Sequence, residues 1–324
     1  MKPGSLQFLR QLLDTPGPSG FESAPARVWR AEAESIGDEV LADRSGNSLA
    51  RLGDGTDPRV MLAGHIDEIG LMVVHVDDDG YLYFSTIGGW DPQVLVGQRV
   101  HVMGKAGIVE GVIGKRAIHL IKPDERDRVS KVTDLWIDIG AKKKRDALRQ
   151  VRIGDPAVLA TSALELPGGR LVSRSVDNRI GAFVVLEALR LLARRRPKAT
   201  VYAVATTQEE IAWTGGGAKT SAATIDPAVA LVVDVTHATD HPHVDKKIHG
   251  DVKIGGGPVL SRGSAVNPTV FDLLVDVAEK AKIPYQLQAA PGDTGTDADA
   301  IHMVQRGIPT GLVSVPNRYM HSPN

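Results

Sequence analysis

Residues 179–210 read RIGAFVVLEALRLLARRRPKATVYAVATTQEE. Apolar residues recur at helical spacing across 179–193, and after a basic break the run 200–206 has the alternating, β-branched character of a buried strand. A helix followed by such a strand is the repeating unit of α/β proteins, in which a largely parallel sheet lies between helices. This stretch therefore predicts an α/β fold, and it ends in two adjacent glutamates.

The same alternation continues on both sides of this stretch. Toward the C-terminus we predict a strand at 230–234, a helix at 269–281 and short strands near Tyr285 and Thr310. Toward the N-terminus, leucines at helical spacing predict a helix near 6–13, with a second at 22–36 and strands at 40–42, 48–52 and 60–63. We expect a mostly parallel sheet covered by helices on both faces.

Residues 68–171 have a different pattern. Short apolar runs at 71–76 and 81–87 flank Asp77-Asp-Asp-Gly80, which predicts a hairpin, and further strands are expected at 100–102, 108–113, 135–139 and 157–160. The basic run Lys142–Arg145 is typical of a solvated helix face within 141–151. We predict a small β-rich domain at 68–171, inserted into a catalytic domain formed by 1–67 and 172–324.

Composition limits the function. The 324 residues carry a net charge of −1, which argues against general binding of nucleic acid or anionic membranes. There is no cysteine, so a metal ion would have to be held by imidazole and carboxylate groups. The first ten residues lack the apolar run of a signal peptide, and no segment is apolar for long enough to span a bilayer, so we expect a cytoplasmic protein.

Polar residues capable of chemistry follow several of the predicted strands. In open α/β sheets, ligands bind beyond the carboxyl ends of the strands. Singly, each residue has another explanation: His65 as a core histidine, Asp177 as a helix N-cap, Asp234 as a strand-end cap. The set consists of His65, Asp67, Asp177, Glu209, Glu210, Asp234 and His321.

Gathered at one sheet edge, two imidazoles and several carboxylates would be unfavourable by several kcal/mol unless cations compensated for their burial and repulsion. The pattern thus predicts two divalent metal ions. Asp67 is expected to orient the ring of His65 through the nitrogen that does not face the metal. Glu209 and Glu210 can both face the site only if the strand has ended by Gln208, because neighbouring residues of a strand point to opposite faces.

The ordered motifs resemble one family over nearly the whole chain, the tetrahedral (TET) aminopeptidases. These dinuclear metallopeptidases also carry the labels glutamyl aminopeptidase, deblocking aminopeptidase and endoglucanase. The motifs are Pro18-Ser-Gly20, Gly64-His-Ile-Asp-Glu-Ile-Gly70, Gly88-Gly-Trp90, Asp177-Asn-Arg179, Gln208-Glu-Glu210, Asp234-Val-Thr-His-Ala-Thr-Asp240, Gly295-Thr-Asp-Ala298 and Met320-His-Ser-Pro323.

The resemblance implies a zinc-peptidase-like fold, a cis peptide after Asp177 and removal of N-terminal residues from peptides by a metal-activated water. It further implies Zn²⁺ or Co²⁺, with Mn²⁺ as a third option. The inserted domain would form dimers that build a tetrahedral dodecamer. In this scheme the first metal is held by His65 and Asp234, the second by Glu210 and His321, and both by Asp177, with Glu209 as general base and Asp67 supporting His65.

Three other functions stay open at this point. They are a deacylase or carboxypeptidase of the same fold, a metal-independent glycoside hydrolase with paired carboxylates about 5 to 9.5 Å apart, and a non-catalytic assembly protein. A second metal site among His237, His241, His243 and His249 is a weaker alternative.

The sequence departs from the family pattern in two places, after the paired glutamates and at the C-terminus. The segment 210–219 differs from its relatives, and the pocket for the N-terminal residue is expected near Trp213 and residues 292–297. Relatives continue into a further helix beyond the position of Asn324, and we expect such a tail here.

Overall fold

The computed structural model describes residues 1–212 and 215–324. The predicted substrate contact at Trp213 lies outside these residues. Among the described residues, no helix has both the length and the apolar character needed to cross a bilayer.

Eight α-helices and sixteen strands are described, together with short 3₁₀ turns. The helices are α1 Pro3–Asp14, α2 Ser23–Ala33, α3 Lys144–Gln150, α4 Val176–Arg194, α5 Gly216–Ile225, α6 Lys246–His249, α7 Pro268–Lys280 and α8 Asp297–Ile301. The strands are β1 Glu39–Ala42, β2 Ser48–Leu52, β3 Arg59–His65, β4 Gly70–Val76, β5 Leu82–Ile87, β6 Arg99–Gly104, β7 Gly107–Lys115, β8 Leu135–Asp138, β9 Pro156–Leu159, β10 Leu164–Leu166, β11 Arg170–Val172, β12 Thr200–Thr206, β13 Val229–His237, β14 Val259–Gly263, β15 Gln286–Ala290 and β16 Thr310–Asn317.

The main sheet has eight strands in the order β1-β2-β12-β3-β13-β16-β14-β15. Its centre, β12-β3-β13-β16, is parallel, while β2 and β14 run antiparallel to their neighbours β12 and β16. The predicted mostly parallel sheet is confirmed. Its central strands are rich in Val, Ala and Leu because helices cover both of their faces.

Helices α1, α2 and α4 pack on one face of the sheet, and α5, α7 and α8 pack on the other. Helix α4 turns Phe183, Leu186 and Leu189 into the first core, where Trp29 of α2 is also fully buried. The Trp29 indole donates a hydrogen bond to the carbonyl of Ala182, which fixes α2 against α4. The predicted helical layers are therefore present.

The remaining large element is a closed barrel in the order β4-β5-β8-β7-β6-β9. It has its own apolar core, which includes Leu71, Phe84, Val100 and Ile137. The predicted hairpin is confirmed as the antiparallel pair β4–β5. Residues 142–145 at the start of α3 are exposed, as expected of a solvated basic run, and α3 buries Ala147.

Sequence patterns missed α5, α8, β14 and the small β10–β11 hairpin. Helix α5 begins with glycines and continues with Ser, Thr and Ala, so it lacks a strong apolar stripe. Helix α8 and strand β14 span only five residues each, too few for periodicity to be recognised. Helices α5 and α8 contribute Lys219, Asp297 and Ala300 to the lining of the cavity described next.

Candidate metal centre and active site

The parallel strands bring four of the predicted residues to one sheet edge. His65 is the last residue of β3, Asp234 lies near the end of the neighbouring β13, and Glu209 follows β12 on the other side. His321 comes four residues after β16 ends at Asn317, on a short irregular segment. Strand order alone thus explains why side chains more than 250 residues apart in sequence meet.

Asp177 reaches this edge from the first turn of α4. The peptide bond between Asp177 and Asn178 is cis, as the resemblance implied, and the helix becomes regular from Arg179. The amide group of Asn178 donates to the carbonyl of Val233 at 2.8 Å, which ties this turn to β13. Buried Arg179 donates to the carbonyl of Ile66 at 3.0 Å, which ties it to the end of β3.

The Asp177 carboxylate lies between two imidazoles. Its Oδ1 is 3.3 Å from His65 Nε2, and its Oδ2 is 3.6 Å from His321 Nε2. Each oxygen therefore faces a different histidine. This is the arrangement expected of a carboxylate that bridges two cations.

A tight turn directs both glutamates into the site. Strand β12 ends at Thr206, Gln208 has a left-handed backbone (φ 61°), and a 3₁₀ turn begins at Glu209. The strand has thus ended by Gln208, as the sequence argument required. The backbone N–H groups of Glu209 and Glu210 donate to the two oxygens of Asp67 at 3.2 and 3.1 Å.

The glutamates complete the cluster around the two histidines. Glu210 Oε2 is 3.3 Å from His321 Nε2, and Glu209 Oε2 is 3.7 Å from His65 Nε2. Asp234 Oδ1 is 3.9 Å from the same nitrogen of His65. All seven residues named from the sequence are brought together.

Asp67 lies behind His65. Besides its predicted contact with the His65 ring, it makes further hydrogen bonds. Its Oδ1 is 3.4 Å from His65 Nδ1, the ring nitrogen that faces away from Asp177. It also accepts a hydrogen bond from the hydroxyl of Ser19 as well as from the two glutamate N–H groups. Asp67 is completely buried and connects the ring of His65 to the glutamate turn.

The residues fit divalent metal ions. Two groups have their ligand atoms within 4.8 Å of one another, namely His65 with Asp177 and Glu210, and His65 with Glu209 and Asp234. Two buried carboxylate atoms, Glu210 Oε1 and Asp234 Oδ2, have no hydrogen-bond partner among the described residues. Buried carboxylate oxygens are normally paired, so these two are oriented for a cation. Imidazole and carboxylate donors suit Zn²⁺ and other first-row divalent ions.

The protonation equilibria point the same way. Burial raises the pKa of Glu209 to about 10, and the negative charges of Asp234 and Asp297 add to this, although His65 opposes it. Burial also raises the pKa of Asp234 and of Glu210. Burial lowers the pKa of His65, but neighbouring carboxylates outweigh it and raise the pKa overall. Without added positive charge, the carboxylates hold protons that cations would displace.

A cavity of about 1130 Å³ opens above this cluster. Its lining includes Gly88 and Gly89 from the loop after β5, and a Cβ atom on Gly89 would lie 3.1 Å from the ring of His321. Gly88-Gly-Trp90 is one of the motifs that carry the family resemblance, and the sequence alone assigns it no role. Trp90 does pack, donating from its indole to the carbonyl of Gly70, but the two glycines border the site.

Glu22 and Thr206 have roles that sequence reasoning did not assign, and Thr206 contacts Asp297 in the segment 292–297 where the substrate pocket is expected. Glu22 accepts a hydrogen bond from the backbone N–H of Gln208 at 3.1 Å, and Thr206 donates from its hydroxyl to Asp297 at 2.5 Å. The sequence signals were the position of Glu22 at the start of the predicted helix 22–36 and, for the partner of Thr206, the motif Gly295-Thr-Asp-Ala298. Both residues act through contacts that join segments far apart in sequence.

The alternative histidine site has no support in the structure. Among the described residues, the groups that could hold a metal contain none of His237, His241, His243 and His249. His237 ends β13 and lines the cavity, whereas the ring of His241 lies tilted beside Tyr319 with ring centroids 6.3 Å apart.

Comparison with known proteins adds four findings. Residues 46–324 match the family described as M42 glutamyl aminopeptidase. The lysyl aminopeptidase of Pyrococcus furiosus is 35% identical over 98% of this chain and 90% of its own length. A crystal structure of a TET aminopeptidase from the marine sediment archaeon Thaumarchaeota archaeon SCGC AB-539-E09 superimposes with a TM-score of 0.93 at 37% identity, covering 99% of this chain and 90% of that one. The TET1 peptidase of Pyrococcus horikoshii is described as assembling into a tetrahedron or a large octahedral shell. It superimposes with a TM-score of 0.85 at 30% identity, covering 98% of this chain and 93% of that one.

Proposed function

Because this chain belongs to the M42 glutamyl aminopeptidase family and is therefore a metal-dependent aminopeptidase, we propose how its own residues perform that reaction. His65, Asp234 and Asp177 hold one divalent ion, and Glu210, His321 and Asp177 hold a second. Zn²⁺ or Co²⁺ is the proposed metal, with Mn²⁺ as the next choice. The position of Asp177, with one oxygen toward each imidazole, carries the proposal.

Glu209 is the proposed general base. Bound ions supply a water of lowered pKa and polarise the scissile carbonyl. Positive charge nearby lowers the pKa of Glu209 from about 10 toward the range in which it accepts a proton at neutral pH. Glu209 takes a proton from the attacking water and returns it to the leaving amine. Asp67 holds the ring of His65 and the glutamate turn in fixed positions during this proton transfer.

We propose that residues 68–171 form an inserted domain and that the chain self-associates through it. The closed barrel with its own apolar core supports the first part. The TET assemblies of relatives support the second, and a tetrahedral dodecamer of paired subunits is the proposed form. Its substrates would be peptides small enough to enter a hollow particle.

The test is a panel of aminoacyl reporter substrates assayed with Zn²⁺, Co²⁺ or Mn²⁺ and after chelation. Glu209→Gln should keep two bound metals per chain and lose about 10²–10⁴-fold in kcat, because proton transfer contributes that much. Glu110→Gln, at an exposed carboxylate on β7, is the matched control and should behave as the wild type.

Full activity of Glu209→Gln would show that another group is the base. Cleavage of cellulose that survives chelation would instead favour the glycoside hydrolase. Cleavage of N-acylated amino acids in preference to free-amine peptides would favour the deacylase.

A further inference from the structure

One buried carboxylate in the cavity has no part in the mechanism above. Asp297, the first residue of α8, is 4% exposed, and its Oδ2 accepts a hydrogen bond from the Thr206 hydroxyl. Thr206 is the last residue of β12 and is paired across the sheet with His65. The other oxygen of Asp297 makes no hydrogen bond within residues 1–212 and 215–324, although Asp297 lines the cavity.

The surroundings of Asp297 are anionic. Asp297 lines the same cavity as Glu209 and Asp234, and its negative charge adds to those that raise the pKa of both residues. Among the described residues, the groups that shift the pKa of Asp297 include no lysine or arginine. Lys219 also lines the cavity but forms no ion pair with Asp297 there. The imidazole of His65 is a cationic neighbour of Asp297, but the effect of burial on the carboxylate is larger, so a positively charged ligand group would stabilise Asp297.

The loop that carries Asp297 is held rigidly. Asp299 accepts hydrogen bonds from the backbone N–H groups of Thr294 and Gly295, both at 2.8 Å, and from the Thr294 hydroxyl. The hydroxyl of Thr296 caps α8 by accepting from the N–H of Ala298. The backbone around Asp297 is therefore held in place. A residue that selects a substrate group by its position requires such a fixed backbone.

We propose that Asp297 binds the α-ammonium group of the substrate's first residue. This deepens the proposed function and rests on it. An aminopeptidase must recognise the end of a chain, and the free α-amine is the one cation that every such substrate presents on the same residue as the scissile carbonyl. A carboxylate fixed beside the cluster selects that cation and disfavours N-acylated chains, which have lost the charge.

The proposal is tested by binding as well as by turnover. L-Leucinol and N-acetyl-L-leucinol, neither of which contains a peptide bond to a second residue, would be titrated calorimetrically into the metal-loaded enzyme, with L-lysinol and its N-acetyl form in parallel. The wild type should bind the free amines more tightly than the acetylated forms. Asp297→Asn should lower affinity for the amines about 10- to 100-fold, the size of a buried charge-assisted contact, and leave the acetylated forms unchanged.

Kinetics of the same variants separate binding from positioning. Asp297→Asn should raise KM with a small change in kcat and should still hold two metal ions by elemental analysis. Asp272→Asn is the matched control, because Asp272 is an exposed carboxylate on α7 that does not line the cavity. If Asp297→Asn does not fold, Asp297→Glu replaces it and should recover part of the selectivity for free amines.

Several results would overturn the proposal. They are unchanged amine affinity in Asp297→Asn, an equal loss in Asp272→Asn, a fall in kcat at constant KM, or loss of a metal ion. The last two would make Asp297 a positioning residue for Glu209 or a metal ligand. A wild type that binds free and acetylated forms alike would also refute it. Failure of the aminopeptidase mechanism is distinguishable, because the wild type would then show no metal-dependent turnover of free-amine peptides.

Discussion

At the scale of single residues, Glu22 makes the stability of the metal-free protein depend on pH. Burial, with Asp67 adding its charge, raises the pKa of Glu22 from 4.5 to about 7. The folded state then keeps a proton that the unfolded chain releases above pH 4.5, so stability falls as pH rises from about 5 to 7. The loss approaches 3 kcal/mol, since each pKa unit corresponds to about 1.4 kcal/mol.

Glu22→Gln should remove this dependence. The amide oxygen of glutamine can still accept the N–H groups of Gly20 and Gln208 that Oε1 accepts now. Urea unfolding of the chelated proteins should show the variant gaining on the wild type by about 2 to 3 kcal/mol between pH 5 and 8. A difference that is the same at both pH values would mean that Glu22 titrates normally in the fold.

At the scale of elements, the start of α5 is clamped to the end of β12. Asn47 accepts the N–H of Thr207 and donates to the carbonyl of Gly217, so the glutamate turn between these elements is held at both ends. A Cβ atom on Gly217 would lie 2.0 Å from Asn47 Oδ1 and 2.7 Å from Thr207 N. The glycine is needed for this close approach.

Gly217→Ala should therefore destabilise the protein by about 2 to 3 kcal/mol through overpacking and lower kcat by displacing the glutamates. Gly4→Ala is the control, because Gly4 is also helical but a Cβ there meets nothing within 4 Å. That substitution should stabilise α1 by about 0.5 to 1 kcal/mol. Equal effects at the two sites, measured by thermal unfolding, would contradict the clamp.

The clamp also shows what sequence reasoning reached and what it did not. Strands β3, β12 and β13 and helix α4 were predictable because each is an apolar run of clear period. The site was predictable because polar residues capable of chemistry follow these strands. Helix α5 was not predictable, since its place depends on a close approach to Asn47, 170 residues away in sequence. Asp297 was seen as part of a motif, but its bond to Thr206 joins two segments that only the folded sheet brings together.

At the scale of the whole molecule, the buried metal-ligand residues lower the stability of the fold without ions and raise it when ions are bound. The carboxyl of Glu210 has its pKa raised by burial and by Asp177, with His321 opposing, so its ionised form is unfavourable in the metal-free fold. At pH 8 this lowers stability. Bound ions reverse the balance, because a ligand present at 100 times its Kd adds about 2.7 kcal/mol to the free energy of unfolding.

Glu210→Gln should consequently invert the order of stability. After chelation the variant should melt above the wild type, since a neutral side chain of the same shape removes a charge that burial disfavours. With Zn²⁺ added, the wild type should rise in Tm by several degrees and the variant by much less, because it lacks one ligand of the second ion. Thermal scans with and without chelator measure both effects. A variant less stable than the wild type in the chelated state would show that Glu210 is held by protein contacts alone and that the site is not strained by the absence of cations.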